Sequence, residues 1–175
     1  MNRQMTPRPH GLTHARIPDI QWDAPETQSV GPDPTKVGKR YRSYEYEVSR
    51  EKVREYVKVL GDENPVYLNR DAARAAGFRD IVAPPTFAVI YSVSAIRKAI
   101  FDPELQIDMT RLVHGGQEFD WFEPVCVGDV ISTALQVGEI YKKGDLWFVV
   151  FETVSTNQED QQVLDAKWTW IIRGT

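Results

Sequence analysis

The chain has 175 residues, 42% hydrophobic and 26% charged, with a net charge of −4; that suffices for one domain with a real core, is short for two, and lacks the basic footprint of a nucleic-acid binder. A single cysteine, Cys126, excludes an intrachain disulfide and a multi-cysteine zinc site. The most apolar stretch, 87–101, is broken by Ser92, Ser94, Arg97 and Lys98 and is shorter than the roughly 20 residues of a membrane span; with no apolar signal-peptide core near the N-terminus, the expectation is a cytoplasmic protein.

Residues 1–36 hold six of the eleven prolines, and no helical or strand period survives there. Two readings stay open for this stretch. It is a leader without fixed structure, as its composition suggests, or an arm that packs on the domain or a partner through Ile17, Ile20 and Trp22. A regular pattern then begins, which places the folded domain at 37–175. Residues 41–48 are rich in β-formers between Gly38 and Ser49 and predict a strand. Ser49 is a good N-cap, Val53, Tyr56, Val57 and Leu60 recur at i, i+3, i+4 and i+7, and Gly61 stops the run, so an amphipathic helix follows. A polar loop at 62–69 leads to a short alanine-rich helix at 71–76, ended by Gly77.

Pro84 and Pro85 precede a segment, 86–100, whose apolar side chains cover nearly every helical face. Such a helix is expected to be buried all round, with Pro85 in its first turn, where a missing N–H costs nothing. Beyond Asp108 the apolar period changes to two. Four strands are predicted, 111–122, 129–141, 146–156 and 163–173, the last three joined by turns at 142–145 and 157–162; Gly144 offers the positive φ that a tight hairpin needs. Strand, helices, buried helix and strand meander, in this order, describe an α+β domain with a long helix packed on one face of an antiparallel sheet.

The most informative stretch is 56–85, YVKVLGDENPVYLNRDAARAAGFRDIVAPP. Gly61 ends a helix and releases a tight polar loop, whose shape Asn64 and Pro65 fix and in which Asp62 stands near the helix end. A carboxylate so placed can polarise a water or receive a proton. It can equally spend its oxygens on turn amides, and the residues alone leave both open.

This stretch resembles the hydratase motif of the MaoC-like (R)-specific enoyl thioester hydratases and dehydratases. That motif runs aromatic, short spacer, Gly-Asp, any residue, Asn-Pro, aliphatic, His, then a small helix ending Gly-Phe before an apolar helix. Tyr56, Gly61, Asp62, Asn64, Pro65, Val66, Gly77, Phe78 and Ile81 follow it in order, and the likeness runs over about 36–173. The resemblance implies a single hot-dog domain, one long central helix wrapped by an antiparallel sheet. It implies a substrate that is a (3R)-hydroxyacyl or trans-2-enoyl thioester of CoA or acyl carrier protein, with no bound cofactor and no metal. It also implies a homodimer, or a heterodimer with a catalytic MaoC-like subunit, in which two sheets join; the dimer edge is expected in the first strand and sheet.

In the family, the Asp and His of the motif position the water that adds to, or leaves from, the β-carbon of the thioester. The Asp maps to Asp62 and the Asn to Asn64, but the His position holds Tyr67, a phenol whose ordinary pKa of about 10 makes it a poor base at neutral pH. Where catalytic members often carry His-Gly before the buried helix, this chain has Pro84-Pro85. With APPTF at 83–87 and HGGQEF at 114–119, it is similar to the substrate-binding, non-catalytic subunits of (3R)-hydroxyacyl-carrier-protein dehydratases. Asn64, Tyr67, Pro84, Pro85, Thr86 and Phe87 are therefore the substrate-binding candidates, and the N–H groups that open the helix at 83–87 offer a site for a thioester carbonyl or phosphate.

Alternation puts Glu118 and Asp120 on one strand face and Gln117, Phe119 and Trp121 on the other. Glu118 is a further substrate-binding candidate, an acid whose pKa an apolar tunnel would raise, or else an exposed ion-pairing residue. His114, the one histidine outside 1–36, is the candidate replacement base beside Asp62, or a structural residue where Gly115 and Gly116 let another backbone approach. Cys126, between two valines, reads as a small buried hydrophobe rather than a nucleophile. Besides a thioesterase, which the same fold also hosts, three functions are consistent with these residues. The first is a hydratase/dehydratase subunit that needs a histidine-bearing partner. The second is a self-sufficient hydratase homodimer in which Asp62 works with another base, and the third is a non-catalytic acyl-thioester-binding homodimer.

Overall fold

The computed structural model describes residues 31–174, so Ile17, Ile20 and Trp22, the predicted anchors of an arm, lie outside the described residues. One antiparallel sheet holds five strands in the order β1-β3-β4-β5-β2, with β1 at Arg40–Glu47, β2 at Leu112–Trp121, β3 at Val130–Lys143, β4 at Leu146–Thr156 and β5 at Gln162–Arg173. Between β1 and β2 come α1 (Arg50–Leu60), α2 (Arg70–Ala75) and α3 (Ala88–Ile100). This is the α+β hot-dog arrangement, with α3 lying over β1, β3 and β4.

The local chemistry explains where the helices begin and end. Ser49 Oγ accepts the Lys52 N–H at 3.3 Å, and Gly61, with φ of 66°, closes α1 by donating to the Lys58 and Val57 carbonyls. Val53 and Val57 form the buried stripe of α1. Asn69 caps α2 by accepting from the Asp71 and Ala72 amides. Ahead of α3, Pro85–Phe87 forms a 3-10 turn with Pro85 at its first position.

The helix α3 is not buried all round. Tyr91, Ser92, Ala95, Ile96, Ala99 and Ile100 face the sheet, whereas Val93 is 37% and Phe101 62% exposed, and Arg97 and Lys98 are exposed as well. A helix laid on one face of a sheet buries only the side against the strands, so an apolar far side does not imply a covered one. The β3–β4 hairpin is also tighter than predicted. Lys142 and Lys143 belong to the strand, Lys143 pairs with Leu146, and only Gly144 (φ 59°) and Asp145 make the turn. At the β4–β5 turn Asn157 Oδ1 accepts from the Glu159 and Gln161 amides at 2.9 and 3.0 Å.

Two polar clusters lock the elements together. Asp102, after α3, accepts from Lys39 Nζ at 2.5 Å and Tyr41 Oη at 2.7 Å, and Lys36 pairs with Glu104 at 3.0 Å, so residues 33–41 are docked on the end of α3. Burial pushes the Asp102 carboxyl up, but the bonds from Lys39, Tyr41 and the Glu104 amide outweigh it and hold the group below the usual aspartate value. Asp129, 0% exposed, accepts the Cys126 N–H at 2.8 Å and Gln158 Nε2 at 3.3 Å and is paired with Arg79. Its own backbone takes part too, since the Asp129 carbonyl accepts from the Val48 amide at 2.8 Å.

Candidate functional site

The wall of the site is built by joining segments distant in sequence. Ala83 N donates to the Val125 carbonyl at 2.8 Å and Val127 N to the Ile81 carbonyl at 2.9 Å, around a bridge between Val82 and Cys126. Trp121, at the end of β2, donates its indole N–H to the Pro85 carbonyl at 3.1 Å. The turn after α1 closes the other side, with Val82 N donating to the Val66 carbonyl at 3.1 Å.

These links shape a half-open cavity of about 660 Å3, within the range of small-molecule sites. Asn64, Val66 and Tyr67 line it from the turn, Val82, Pro84 and Pro85 from the segment leading to α3, and Trp121, Phe122 and Val125 from the link after β2. Tyr91 reaches it from α3, and Glu123 adds an exposed carboxylate. A smaller concavity of about 330 Å3, lined by Arg50, Glu51 and Arg54, shares Tyr67 with it.

The sequence-predicted residues divide between this cavity and other places. Asn64, Tyr67, Pro84 and Pro85 are brought together on its wall. Asp62 is not on that wall; it is exposed, and its Oδ1 accepts the Asn64 amide at 2.9 Å, while Asn64 Oδ1 accepts the Val66 amide at 3.2 Å. Both side chains therefore shape the turn. Thr86 is exposed, and its carbonyl accepts Tyr56 Oη at 3.0 Å. Phe87 is a core residue, 0% exposed, held edge-on by Tyr56 and Tyr46. The amides that open the helix are largely committed, because Phe87 N donates to the Pro84 carbonyl at 2.8 Å and Ala88 N to the carbonyls of Pro85 and Thr86. The tight 3-10 turn uses internally the N–H groups that an ordinary first turn leaves free.

His114 sits on β2 away from the cavity, its ring 4.8 Å from that of Trp170 and 6.1 Å from that of Trp168. Glu118 lies in another concavity with Asp120, Glu152, Asp165 and Lys167, and stands opposite Lys167 in the strand register. Cys126 is buried, and that burial pushes its thiol up, which disfavours the thiolate. Trp121, Phe122, Glu123 and Tyr91 were not singled out as site residues by the sequence. Nothing in their local pattern separates a cavity-lining aromatic from the many that pack in the sheet core.

Residues 35–166 match the family described as "FAS1-like, dehydratase domain region". The chain belongs to this family, the MaoC-like hot-dog dehydratases. A relative within it, a UPF0336 protein of Saccharopolyspora erythraea, is 40% identical over 130 residues, which are 74% of this chain and 83% of that one. The R-hydratase PhaJ1 from Pseudomonas aeruginosa is similar in fold, with a TM-score of 0.63 at 23% identity over 79% of this chain and 83% of that chain. So is a chain of the HadBC (3R-hydroxyacyl-ACP dehydratase) complex from Mycobacterium tuberculosis, with a TM-score of 0.68 at 23% identity over 78% of this chain and 96% of that chain. Among the described residues of this family member, no helix is long and apolar enough to cross a membrane.

Proposed function

We propose that this chain is a MaoC-like hydratase/dehydratase subunit that binds (3R)-hydroxyacyl or trans-2-enoyl thioesters of CoA or acyl carrier protein, and that it turns them over only with a histidine-bearing partner chain. The observation that carries this reading is the composition of the cavity wall. It is large and mainly apolar, as an acyl chain needs, but Tyr67 occupies the position of the motif's base, and Asp62 lies off the wall with one oxygen committed to the turn. General-base chemistry needs a proton acceptor within hydrogen-bond reach of the substrate, with a pKa near the working pH. Neither Tyr67 nor the distant His114 meets both requirements. The HadBC complex, a chain of which shares this fold, is a precedent for such an assembly.

The test is hydration of a short trans-2-enoyl-CoA by the full chain alone, alongside a direct measurement of acyl-CoA binding. Binding without turnover is expected. Turnover by the pure chain, abolished by Glu123→Gln or Asp62→Asn, would replace the two-chain reading with a self-sufficient hydratase and identify its base.

A further inference from the structure

Tyr91 stands out in the cavity wall. It is 2% exposed, it lines the cavity, and no residue among those described hydrogen-bonds its hydroxyl. A tyrosine in a wall normally has a protein partner for its O–H; that of Tyr91, whose oxygen is not among the fully buried polar atoms left unpaired, is left to the contents of the cavity. Tyr56, on the edge of the same region, has such a partner in the Thr86 carbonyl at 3.0 Å, and Tyr41 has one in Asp102 at 2.7 Å. Burial also pushes the Tyr91 phenol upward, with no charged neighbour contributing, so it stays protonated and able to donate across the physiological range. It lies one turn inside the start of α3. Val82, Val125 and Val163, which line the same cavity, offer no acceptor side chain; Asn64 and Glu123 line it too.

We infer that the Tyr91 hydroxyl selects acyl chains that carry an oxygen substituent, by donating to a hydroxyl or keto oxygen held in the cavity. The inference rests on the thioester-binding reading and adds to it a specificity-determining residue. A site with a buried hydrogen-bonding group discriminates against the analogue that lacks the matching atom, since binding the analogue leaves that group unpaired. The cavity therefore holds 3-hydroxyacyl chains more tightly than saturated chains of equal length, although the latter are the more apolar.

The experiment is calorimetric titration of the full chain with octanoyl-CoA and with (3R)-3-hydroxyoctanoyl-CoA, for the natural sequence and for Tyr91→Phe, which keeps the ring and removes only the oxygen. The natural chain is expected to prefer the hydroxyacyl ligand by about three- to ten-fold. Tyr91→Phe is expected to erase that preference by weakening the hydroxyacyl ligand alone, with a thermal midpoint that shows the fold intact. Equal binding of both ligands by the natural chain overturns the inference, as does a preference that survives Tyr91→Phe or an equal loss for both ligands. Binding of neither ligand refutes the thioester reading itself, and the role of Tyr91 with it.

Discussion

Replacing Phe87 by alanine separates a core residue from a ligand-contacting one. The ring is 0% exposed and meets Tyr56 at 5.3 Å and 90° and Tyr46 at 6.2 Å and 67°. Truncating a core phenylalanine to alanine costs about 3–5 kcal/mol. Aromatic edge contacts are worth about 0.5–1.5 kcal/mol each, so the two of them account for about 1–3 kcal/mol of that loss. Phe87→Leu keeps most of the volume and is expected to lose little beyond this aromatic share. Urea unfolding at fixed protein concentration measures both variants, and a midpoint shift without a change in slope reports stability alone. In a thermal scan the alanine variant is expected to melt roughly 6–20 °C lower. A loss under about 1 kcal/mol for Phe87→Ala, or unchanged stability with lost acyl-CoA binding, would refute the assignment of Phe87 to the core and return it to the site.

Two further substitutions test Asp102 and Asp62. Asp102 has a folded pKa below its unfolded value of about 3.9, so its contribution to stability is fully present above that value and is lost as pH falls through the depressed folded pKa. Asp102→Asn is expected to lower stability at pH 7 and to flatten the fall in stability below about pH 4, which unfolding curves collected from pH 2 to 7 would show; an unchanged acid slope removes Asp102 from the account. Asp62→Asn keeps an oxygen able to accept the Asn64 amide, so it is expected to change stability by less than about 0.5 kcal/mol and acyl-CoA affinity by less than about two-fold. A large loss of affinity in calorimetry would show that Asp62 works on the ligand after all.

Much of the fold was legible because each element carried its own period and stop signals. Val53, Tyr56, Val57 and Leu60 between Ser49 and Gly61 are α1 almost to the residue. The alternation after Asp108 yields the four strands with ends off by one residue at most except at Lys142 and Lys143, where two lysines before a glycine read as turn when they in fact extend β3. Pattern did not reveal how much of α3 is covered, since an apolar residue such as Val93 looks alike on either side of a helix. Of the site, the turn residues Asn64 and Tyr67 and the prolines before α3 were legible through the motif, whose spacing fixes them locally. Tyr91, Trp121 and Asp129 were not. Their roles depend on bonds such as Trp121 to the Pro85 carbonyl and Cys126 to the Asp129 carboxylate, and long-range contacts of this kind leave no periodic mark in the chain.

The same long-range bonds divide the cavity wall by timescale. Residues 81–83 and 125–127 are stitched to each other, and through Asp129 to Arg79, Val48 and Gln158, so they cannot part without uncovering a buried carboxylate. Their amides are tied to the opening of the whole domain. The turn at 62–69 is held mostly by local bonds of Asp62, Asn64 and its own backbone, with the Val82 amide to the Val66 carbonyl as its link to that wall, so it is expected to open more readily. In hydrogen exchange the back wall of the cavity should keep its deuterium label as long as the sheet does, while the turn beside it loses label early. If the cavity binds thioesters as proposed, adjustment to acyl chains of different girth is expected to fall to Asn64 and Tyr67, which line the cavity from that turn.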